Sequence, residues 1–188
     1  LAYRRALSGV SATSSSTAVE LVSILGATQR IKESRDIEAA IGLSVPPIAQ
    51  VLNADMIAVA LPVPGSIREI RVVALHPQTS AILAGQEIRL SKSGYPLIAS
   101  ALQTGRLQSA HAPRKDPNII ALYKALGFKK AGPLLVQPLV ERGRLLGIML
   151  AGNPISQRKW TTEDEQIARA IGTAIAASLV GSRRREPE

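Results

Sequence analysis

The sequence has 188 residues, 46% of them hydrophobic, and 23 basic against 14 acidic residues give a formal net charge of +9. It contains no cysteine, which excludes disulfides, thiolate metal sites and a cysteine nucleophile. No apolar stretch approaches the roughly 18 residues that a membrane-spanning helix needs, so the composition predicts a soluble chain with one domain.

The positive charge is concentrated in the middle of the chain, where residues 86–130 contain eight basic and two acidic residues. Such an excess favours a nucleic acid, an anionic membrane or an anionic ligand as partner. The five aromatic residues are not interleaved with the basic ones in the stacking pattern of single-strand binders. We therefore expect no nucleic acid binding, and a small anionic or neutral polar ligand.

The first elements in chain order are a linker and a helix. Residues 1–16 are small and polar without periodicity, which predicts a flexible linker. The aromatic residue and arginines within residues 1–5 also fit the cytoplasmic margin of a preceding transmembrane helix. A helix is predicted from Val19 to Arg35 because apolar positions recur every three or four residues. This narrow stripe consists of Leu21, Ile24, Leu25, Thr28 and Ile31.

A second helix is predicted to begin at Ser34, whose hydroxyl suits a helix cap, and to end near Gly42. Pro46 and Pro47 lack the amide that a helix interior needs, although they are tolerated in a first turn. We therefore predict a break at residues 42–44 and a separate helical segment over residues 45–52.

The central region is predicted to fold into short elements. Gly105 and Gly127 end two helical patterns, and Asp116 followed by proline begins the second of these. Residues 77–84 are predicted as a loop or a single turn. The elements are strands at 55–61, 67–75, 87–90 and 106–110, and helices at 95–104 and 116–126.

The C-terminal third predicts a hairpin followed by a helix. Residues 134–140 and 145–150 are rich in branched apolar residues, and the polar break between them predicts a tight turn with Gly143 at positive φ. Thr162 and Glu165 have the spacing of a capping box, and acidic residues suit the first turn. Apolar residues then recur at intervals of four, at Ile167, Ile171, Ile175 and Leu179.

This order of motifs resembles the GAF family of small sensory domains. Its members end in a hairpin with a glycine just inside the second strand, here Gly147, and a helix that begins at an aromatic-Thr-x-Glu-Asp motif, here Trp160 to Asp164. The resemblance extends back to about Leu21 and includes LNADMIAVALPV and ALQTGRLQSAH. It implies an α+β fold with a central antiparallel sheet of about five or six strands. The terminal helices would cover one face, with short helices and loops on the other.

The resemblance implies a GAF-like domain at residues 17–181, followed by a charged tail at 182–188 that leads to an output domain. Its expected role is to sense a small molecule or relay a signal in the cytoplasm, within a bacterial signalling protein such as a sensor histidine kinase. The first and last helices of such domains commonly form a dimer bundle. The expected interface consists of Leu21, Ile24, Leu25, Thr28, Ile31, Ile171, Ile175 and Leu179.

Two other functions are open: a ligand-free dimerisation module whose pocket is filled by its own side chains, and the effector domain of a transcription regulator. In the sensing interpretation, the pocket lies between the sheet and the loops and short helices of the central region. The candidate ligand-binding residues are His76, His111, Arg114, Lys115, Tyr123, Phe128 and Gln137.

No pattern in the sequence predicts catalysis or a metal. His76 and His111 are the only histidines, and there is no glycine-rich phosphate loop, Gly-x-Ser-x-Gly elbow or His-Glu-x-x-His pair. Family members that attach bilin or reduce methionine sulfoxide use a cysteine, which is absent here. We therefore expect no enzyme activity, no metal and no bilin, and haem is not expected either.

Overall fold

The computed structural model describes residues 26, 28–34, 36–111 and 115–183, with side chains described up to residue 181. None of the helices in these ranges is both long and apolar enough to cross a membrane. The strands are β1 (Met56–Pro62), β2 (Glu69–His76), β3 (Arg89–Ser91), β4 (Gln108–Ala110), β5 (Leu134–Glu141) and β6 (Arg144–Gly152). The helices are α1 (residues 28–33), α2 (Ile37–Val51), α3 (Ser80–Leu83), α4 (Pro96–Thr104), α5 (Pro117–Ala125) and α6 (Thr162–Arg183).

The strands form one six-stranded antiparallel sheet in the order β3-β2-β1-β6-β5-β4. Side chains from α1, α2 and α6 pack on one face, which we call the terminal-helix face. Side chains from α4 and α5 pack on the opposite face, which we call the short-helix face. The layers bury an apolar surface on each side of the sheet, and the predicted α+β fold is confirmed.

Strand β1 lies at the centre of the sheet and contributes to both cores. Ile57 and Val59 belong to the core of the terminal-helix face. Met56, Ala58 and Ala60 belong to the core of the short-helix face. Successive side chains of a strand point to opposite faces, so a strand covered on both sides is apolar at every position.

The hairpin of β5 and β6 forms as predicted. Arg142 and Gly143 make a two-residue turn with φ of 50° and 74°, which is the arrangement that matches the twist of the flanking strands. A Cβ at Gly147 would lie 2.5 Å from the carbonyl oxygen of Ala60 on β1. The glycine of the GAF-like hairpin motif is therefore required because β6 passes too close to β1 for a side chain.

The predicted break in α2 is wrong, because the helix runs without interruption through Pro46 and Pro47. The two missing amides remove the usual partners of the carbonyls of Gly42 and Leu43. Leu43 is 65% exposed and a Cβ on Gly42 would meet open space, so this stretch is at the surface, where water can replace those amides. The prediction of Ser34 as the helix cap is also wrong. The capping residue is Asp36, whose side chain accepts a hydrogen bond from the amide of Ala39.

The short elements of the central region agree with the predicted order. Gly105 ends α4 in the left-handed conformation with φ of 64°. Asp116 begins α5 by accepting from the amide of Asn118 at 2.8 Å. The stretch predicted as a loop or a single turn contains the short helix α3.

Helix α6 begins with a capping box one residue earlier than predicted. The amide of Asp164 donates to Thr161 Oγ1 at 3.1 Å, and the amide of Thr161 donates to Asp164 Oδ2 at 2.8 Å. Glu165, the predicted partner, instead pairs with Arg169. The carboxylate reaches back to the capping residue, so the exchange satisfies two amides at the start of the helix.

Arg158 joins the end of α2 to the start of α6. Its Nη1 lies 2.8 Å from Asp164 Oδ2, and its Nη2 donates to the carbonyl of Leu52 at 2.6 Å. The guanidinium also lies over the ring of Trp160, 5.1 Å from the ring centroid. We call Arg158, Asp164 and Trp160, together with Asp55 and Asn153, the α2–α6 junction.

Asp55 and Asn153 connect the junction to the sheet. Asp55 Oδ2 accepts from the amides of Ile155 and Ser156 at 2.7 and 2.6 Å. Asn153 Oδ1 accepts from the amide of Asp55, and its Nδ2 donates to the carbonyl of Arg158. The residues of the GAF-like motif at 160–164 therefore serve to fix the start of α6.

The residues expected at a dimer interface lie in the core of the single chain wherever the structure describes them. Leu21, Ile24 and Leu25 are outside the described residues. The interpretation of the remaining five as an exposed stripe is wrong, because each is at most 5% exposed. These residues are Thr28, Ile31, Ile171, Ile175 and Leu179. Dimerisation itself stays a prediction, but these five residues are not available for it.

Replacing Asp164 by Asn should lower the free energy of unfolding by about 1–2 kcal/mol at neutral pH, because the junction loses its anion. Burial disfavours the Asp164 carboxylate, but hydrogen bonds from Arg158 and Thr161 outweigh it and lower its pKa. A lowered pKa stabilises the fold above the ordinary range of an aspartate and ceases to do so as the pH falls.

The difference in unfolding free energy between the unaltered protein and Asp164→Asn should therefore be constant above about pH 5 and shrink at lower pH. Urea unfolding over this range measures it. Glu163→Gln, on the exposed side of the same turn, is the matched control and should leave stability nearly unchanged. A cost for Asp164→Asn that does not depend on pH would contradict the assignment.

Candidate functional site

Tyr123 is buried in the interior of the short-helix face. It is 1% exposed, and its hydroxyl donates to the carbonyl of Pro133 at 3.1 Å. Phe128 packs edge-on against its ring with the centroids 6.2 Å apart. Burial raises the pKa of the Tyr123 phenol far above its usual range. The side chain is therefore a neutral hydrogen-bond donor whose own chain already satisfies it.

The histidines and lysine predicted in the pocket do not converge. His76 ends β2 and is partly exposed, whereas His111 and Lys115 are exposed beyond the end of β4. Strands β1, β6 and β5 lie between β2 and β4, which places the two histidines on the order of 15–20 Å apart. Arg114 lies outside the described residues. The histidines therefore cannot share one small ligand or one metal ion.

Gln137 lies on the other side of the sheet from Tyr123. Its neighbours Leu135 and Leu139 pack in the core of the terminal-helix face, and a Cβ on Gly172 of α6 would lie 2.6 Å from its Cγ. Strand alternation places Gln137 on that same face. The six predicted ligand residues that the structure describes are consequently divided between the two faces, the end of β2 and an exposed turn, and they do not form one pocket.

Side chains of the protein itself occupy the layer in which the pocket was predicted. Ile98 of α4 and Leu122 of α5 point into the core of the short-helix face, and Leu126 closes its end. Each of these three is at most 1% exposed. This packing is what the ligand-free interpretation predicts for that layer.

A cleft opens on the other face, between α6, β5 and residues 105–107, which connect α4 to β4. It has a volume of about 370 Å³. Polar side chains from three segments line it, and we call it the α6 cleft. The lining residues are Gly105, Arg106, Leu107, Gln137, Pro138, Val140, Arg169 and Thr173.

Gln137 is the buried polar group of the α6 cleft. It is 8% exposed, its Nε2 donates to the carbonyl of Pro138 at 2.8 Å, and its Oε1 has no hydrogen-bond partner. An unsatisfied buried acceptor costs about 1–3 kcal/mol. The sequence marked Gln137 as an amide within an apolar strand but gave no indication of the face it occupies.

Two arginines give the α6 cleft its charge. Arg106 is exposed after α4 and has no ion pair within the described residues. Arg169 Nη2 lies 3.1 Å from Glu165 Oε2, and the Arg169 side chain is 51% exposed. An exposed pair of this kind contributes little to stability and exchanges readily. In the sequence, Arg106 is only one of the basic residues at 86–130, and no motif marks Arg169.

A second depression lies near the end of α5. Lys129, Lys130, Pro154 and Ile155 line two adjoining grooves of about 480 and 300 Å³. Phe128 contributes to the smaller groove, and Ile155 is 76% exposed. This surface combines positive charge with apolar area, but it has no buried polar group among its lining residues.

No group of three or more His, Asp or Glu side chains that could hold a metal ion occurs in the described part of the chain. His111 Nε2 lies 3.2 Å from Ser109 Oγ on an exposed turn. A serine nucleophile with a histidine base also needs a group that orients the histidine. Within the described ranges, no carboxylate bonds to His111.

The fold is shared with several solved structures. A phosphoenolpyruvate-protein phosphotransferase GAF domain from Coxiella burnetii has 17% identity and a TM-score of 0.71, covering 90% of this chain and 97% of that one. Free methionine-R-sulfoxide reductase from Neisseria meningitidis has 14% identity and a TM-score of 0.69, covering 91% and 94%. The second GAF domain of DevS from Mycobacterium smegmatis has 18% identity and a TM-score of 0.60, covering 79% of this chain and 97% of that one.

At these identities the likeness to solved structures shows the fold alone. No curated protein matches this chain in sequence. The six-stranded sheet between terminal and short helices defines the fold as an α+β domain. A family model described as GAF domain matches residues 36–179, more than half of the chain. The chain belongs to the GAF family, as the resemblance in its sequence predicted.

Gly172 should be required for the position of Gln137. A Cβ at this residue would overlap Gln137 Cγ, so Gly172→Ala should lower the free energy of unfolding by about 1–3 kcal/mol. Gly181→Ala in the same helix is the matched control. A Cβ there would meet only the Lys32 side chain at 3.0 Å, and alanine favours a helix by about 0.5–1 kcal/mol.

Chemical denaturation of both variants tests this difference. Combining Gly172→Ala with Gln137→Ala should cost less than the sum of the single changes, since the clash is removed. Equal effects of the two glycine substitutions would show that Gln137 does not lie against α6.

Proposed function

We propose that this GAF domain is the regulatory part of a bacterial signal-transduction protein, with a sensor histidine kinase as the first choice. It acts as a homodimer through its terminal helices and responds to a small, anionic or neutral polar ligand. The observation that carries this proposal is the two-sided character of α6. One side of this helix completes the core, and the other has a surface suited to a second helix.

Exposed residues of α6 form a stripe opposite its core residues. Ala170, Thr173 and Ala177 are exposed at spacings of three and four residues, and Ala174 beside them is half-buried. Such positions share one face of a helix. Small side chains let a neighbouring helix approach closely, so this stripe replaces the buried residues as the proposed dimer interface. We call it the α6 stripe.

The same helix connects the stripe to the sheet. Its 22 residues span about 33 Å, and the α2–α6 junction fixes its start. Ligand binding at the sheet would favour one position of the remainder of the helix over another. An output domain following α6 would receive that change. Catalysis in this scheme belongs to the output domain.

A second function, the ligand-free dimerisation module, has its own support. Ile98, Leu122, Tyr123 and Leu126 occupy the layer predicted to hold a ligand, and each is nearly inaccessible. In this version the α6 stripe would still form the dimer, and no small molecule would affect it. The two functions therefore differ in ligand response and not in assembly.

The purified domain should sediment as a dimer, and Ala170→Glu combined with Ala177→Glu should yield a folded monomer. Burying two carboxylates against another helix is unfavourable, whereas both positions are exposed in the single chain. Sedimentation velocity measures the mass, and circular dichroism checks that the variant folds.

Ala121→Glu, at an exposed position of α5 on the opposite face of the sheet, is the matched control and should stay dimeric. Changing Ile175 would not be informative because that residue is fully buried. Unaltered protein that is monomeric at high concentration would refute the dimer, and a dimeric double variant would refute this interface.

We also propose that the domain has no turnover of its own. The Ser109–His111 contact is exposed and, within the described residues, has no carboxylate to orient it. Assays with ester, phosphodiester and cyclic-nucleotide substrates should show no activity. Saturable turnover that His111→Ala abolishes would contradict the proposal.

A further inference from the structure

We infer that the α6 cleft binds a small organic anion that carries a hydroxyl or N–H donor, such as a hydroxydicarboxylate. The inference rests on the proposed function for its signalling consequence, although binding itself can be measured separately. The buried amide of Gln137 and the two arginines that share the cleft would bind this ligand.

The orientation of the Gln137 amide determines which ligand group it needs. Its Nε2 donates to the carbonyl of Pro138 at 2.8 Å. The opposite orientation would place two acceptor oxygens against each other, so the hydrogen-bond network fixes the assignment. The remaining group is therefore the acceptor Oε1, and only a donor can satisfy it.

Packing does not explain why this position holds a polar residue. Gln137 lies between Leu135 and Leu139, which belong to the apolar core of that face, and the backbone of Gly172 lies against its side chain. A methionine has a similar shape and would leave no unsatisfied oxygen. Oε1 is itself buried, and the last torsion of a glutamine side chain is soft, so a rotation of the amide on ligand binding can turn Oε1 toward a donor in the cleft.

Arg106 and Arg169 supply the complementary charge. A guanidinium presents planar pairs of donors that match a carboxylate. Arg169 already pairs with Glu165, but both side chains are partly exposed at 51% and 22%, so a ligand carboxylate can compete for it. Two arginines against one rim carboxylate leave the cleft positive.

The size of the cleft limits the ligand. About 370 Å³ lies at the lower end of the roughly 300–1,000 Å³ range of small-molecule sites. A four-carbon dicarboxylate is small enough to enter and carries two carboxylates, one for each arginine. A hydroxyl on such a molecule supplies the donor that Gln137 lacks.

Malate and succinate test the inference, because they differ by one hydroxyl group. Isothermal titration of the protein should show malate binding about fivefold to tenfold more tightly than succinate, the increment of one added hydrogen bond. In Gln137→Met the preference should fall below about twofold, and thermal stability should be unchanged or higher, since an unsatisfied acceptor is removed.

Arg106→Ala and Arg169→Ala should each lower the affinity for both malate and succinate at least fivefold. Added salt should also lower the affinity of the unaltered protein for both ligands. Arg68 is exposed between β1 and β2, and Arg68→Ala is the matched control. It should leave the affinities for malate and succinate unchanged. Equal affinities for malate and succinate, no binding of either, or a preference that survives in Gln137→Met would each overturn the inference.

The proposed function is tested separately by hydrogen exchange of α6 with and without malate. Malate binding that leaves α6 and the dimer unchanged would support the site and refute the signalling role. Protection of α6 on malate binding, lost in Gln137→Met, would support both.

Discussion

The ion pair between Arg158 and Asp164 is the constraint on which the arrangement of the terminal helices depends. The same guanidinium bonds a carboxylate in the first turn of α6 and a carbonyl at the end of α2. Two elements more than one hundred residues apart are thereby brought to one end of the sheet. Because both helices then cover the same face, the core of that face and the cleft beside α6 follow from this placement.

Local chemistry explains which elements the sequence could predict. The hairpin turn at Gly143, the helix stop at Gly105 and the cap at Asp116 depend on neighbouring residues alone. The uninterrupted course of α2 does not depend on neighbouring residues alone. Pro46 and Pro47 are tolerated there because the carbonyls that lack an amide partner are at the surface. The observed capping box lies one residue before the predicted one for a related reason, because Asp164 bonds to Arg158 as well as to Thr161.

The candidate site could be predicted less well, since it depends on which face each strand residue occupies. Gln137 stands out in the sequence as an amide within an apolar strand, but the strand period places it beside α6 and away from Tyr123. Arg169 is separated from Gln137 by a hairpin, a loop and the first part of α6. No spacing in the sequence reveals that these residues line the same cleft.

Thr173 belongs both to the α6 cleft and to the exposed stripe of the same helix. If ligand binding in the cleft changes the affinity of the stripe for a second copy, dimerisation must change the affinity for the ligand by the same factor. If the cleft and the stripe act as proposed, the apparent affinity for a ligand depends on the concentration of the protein. The number of copies in a cell would then help to set the ligand level at which the domain responds.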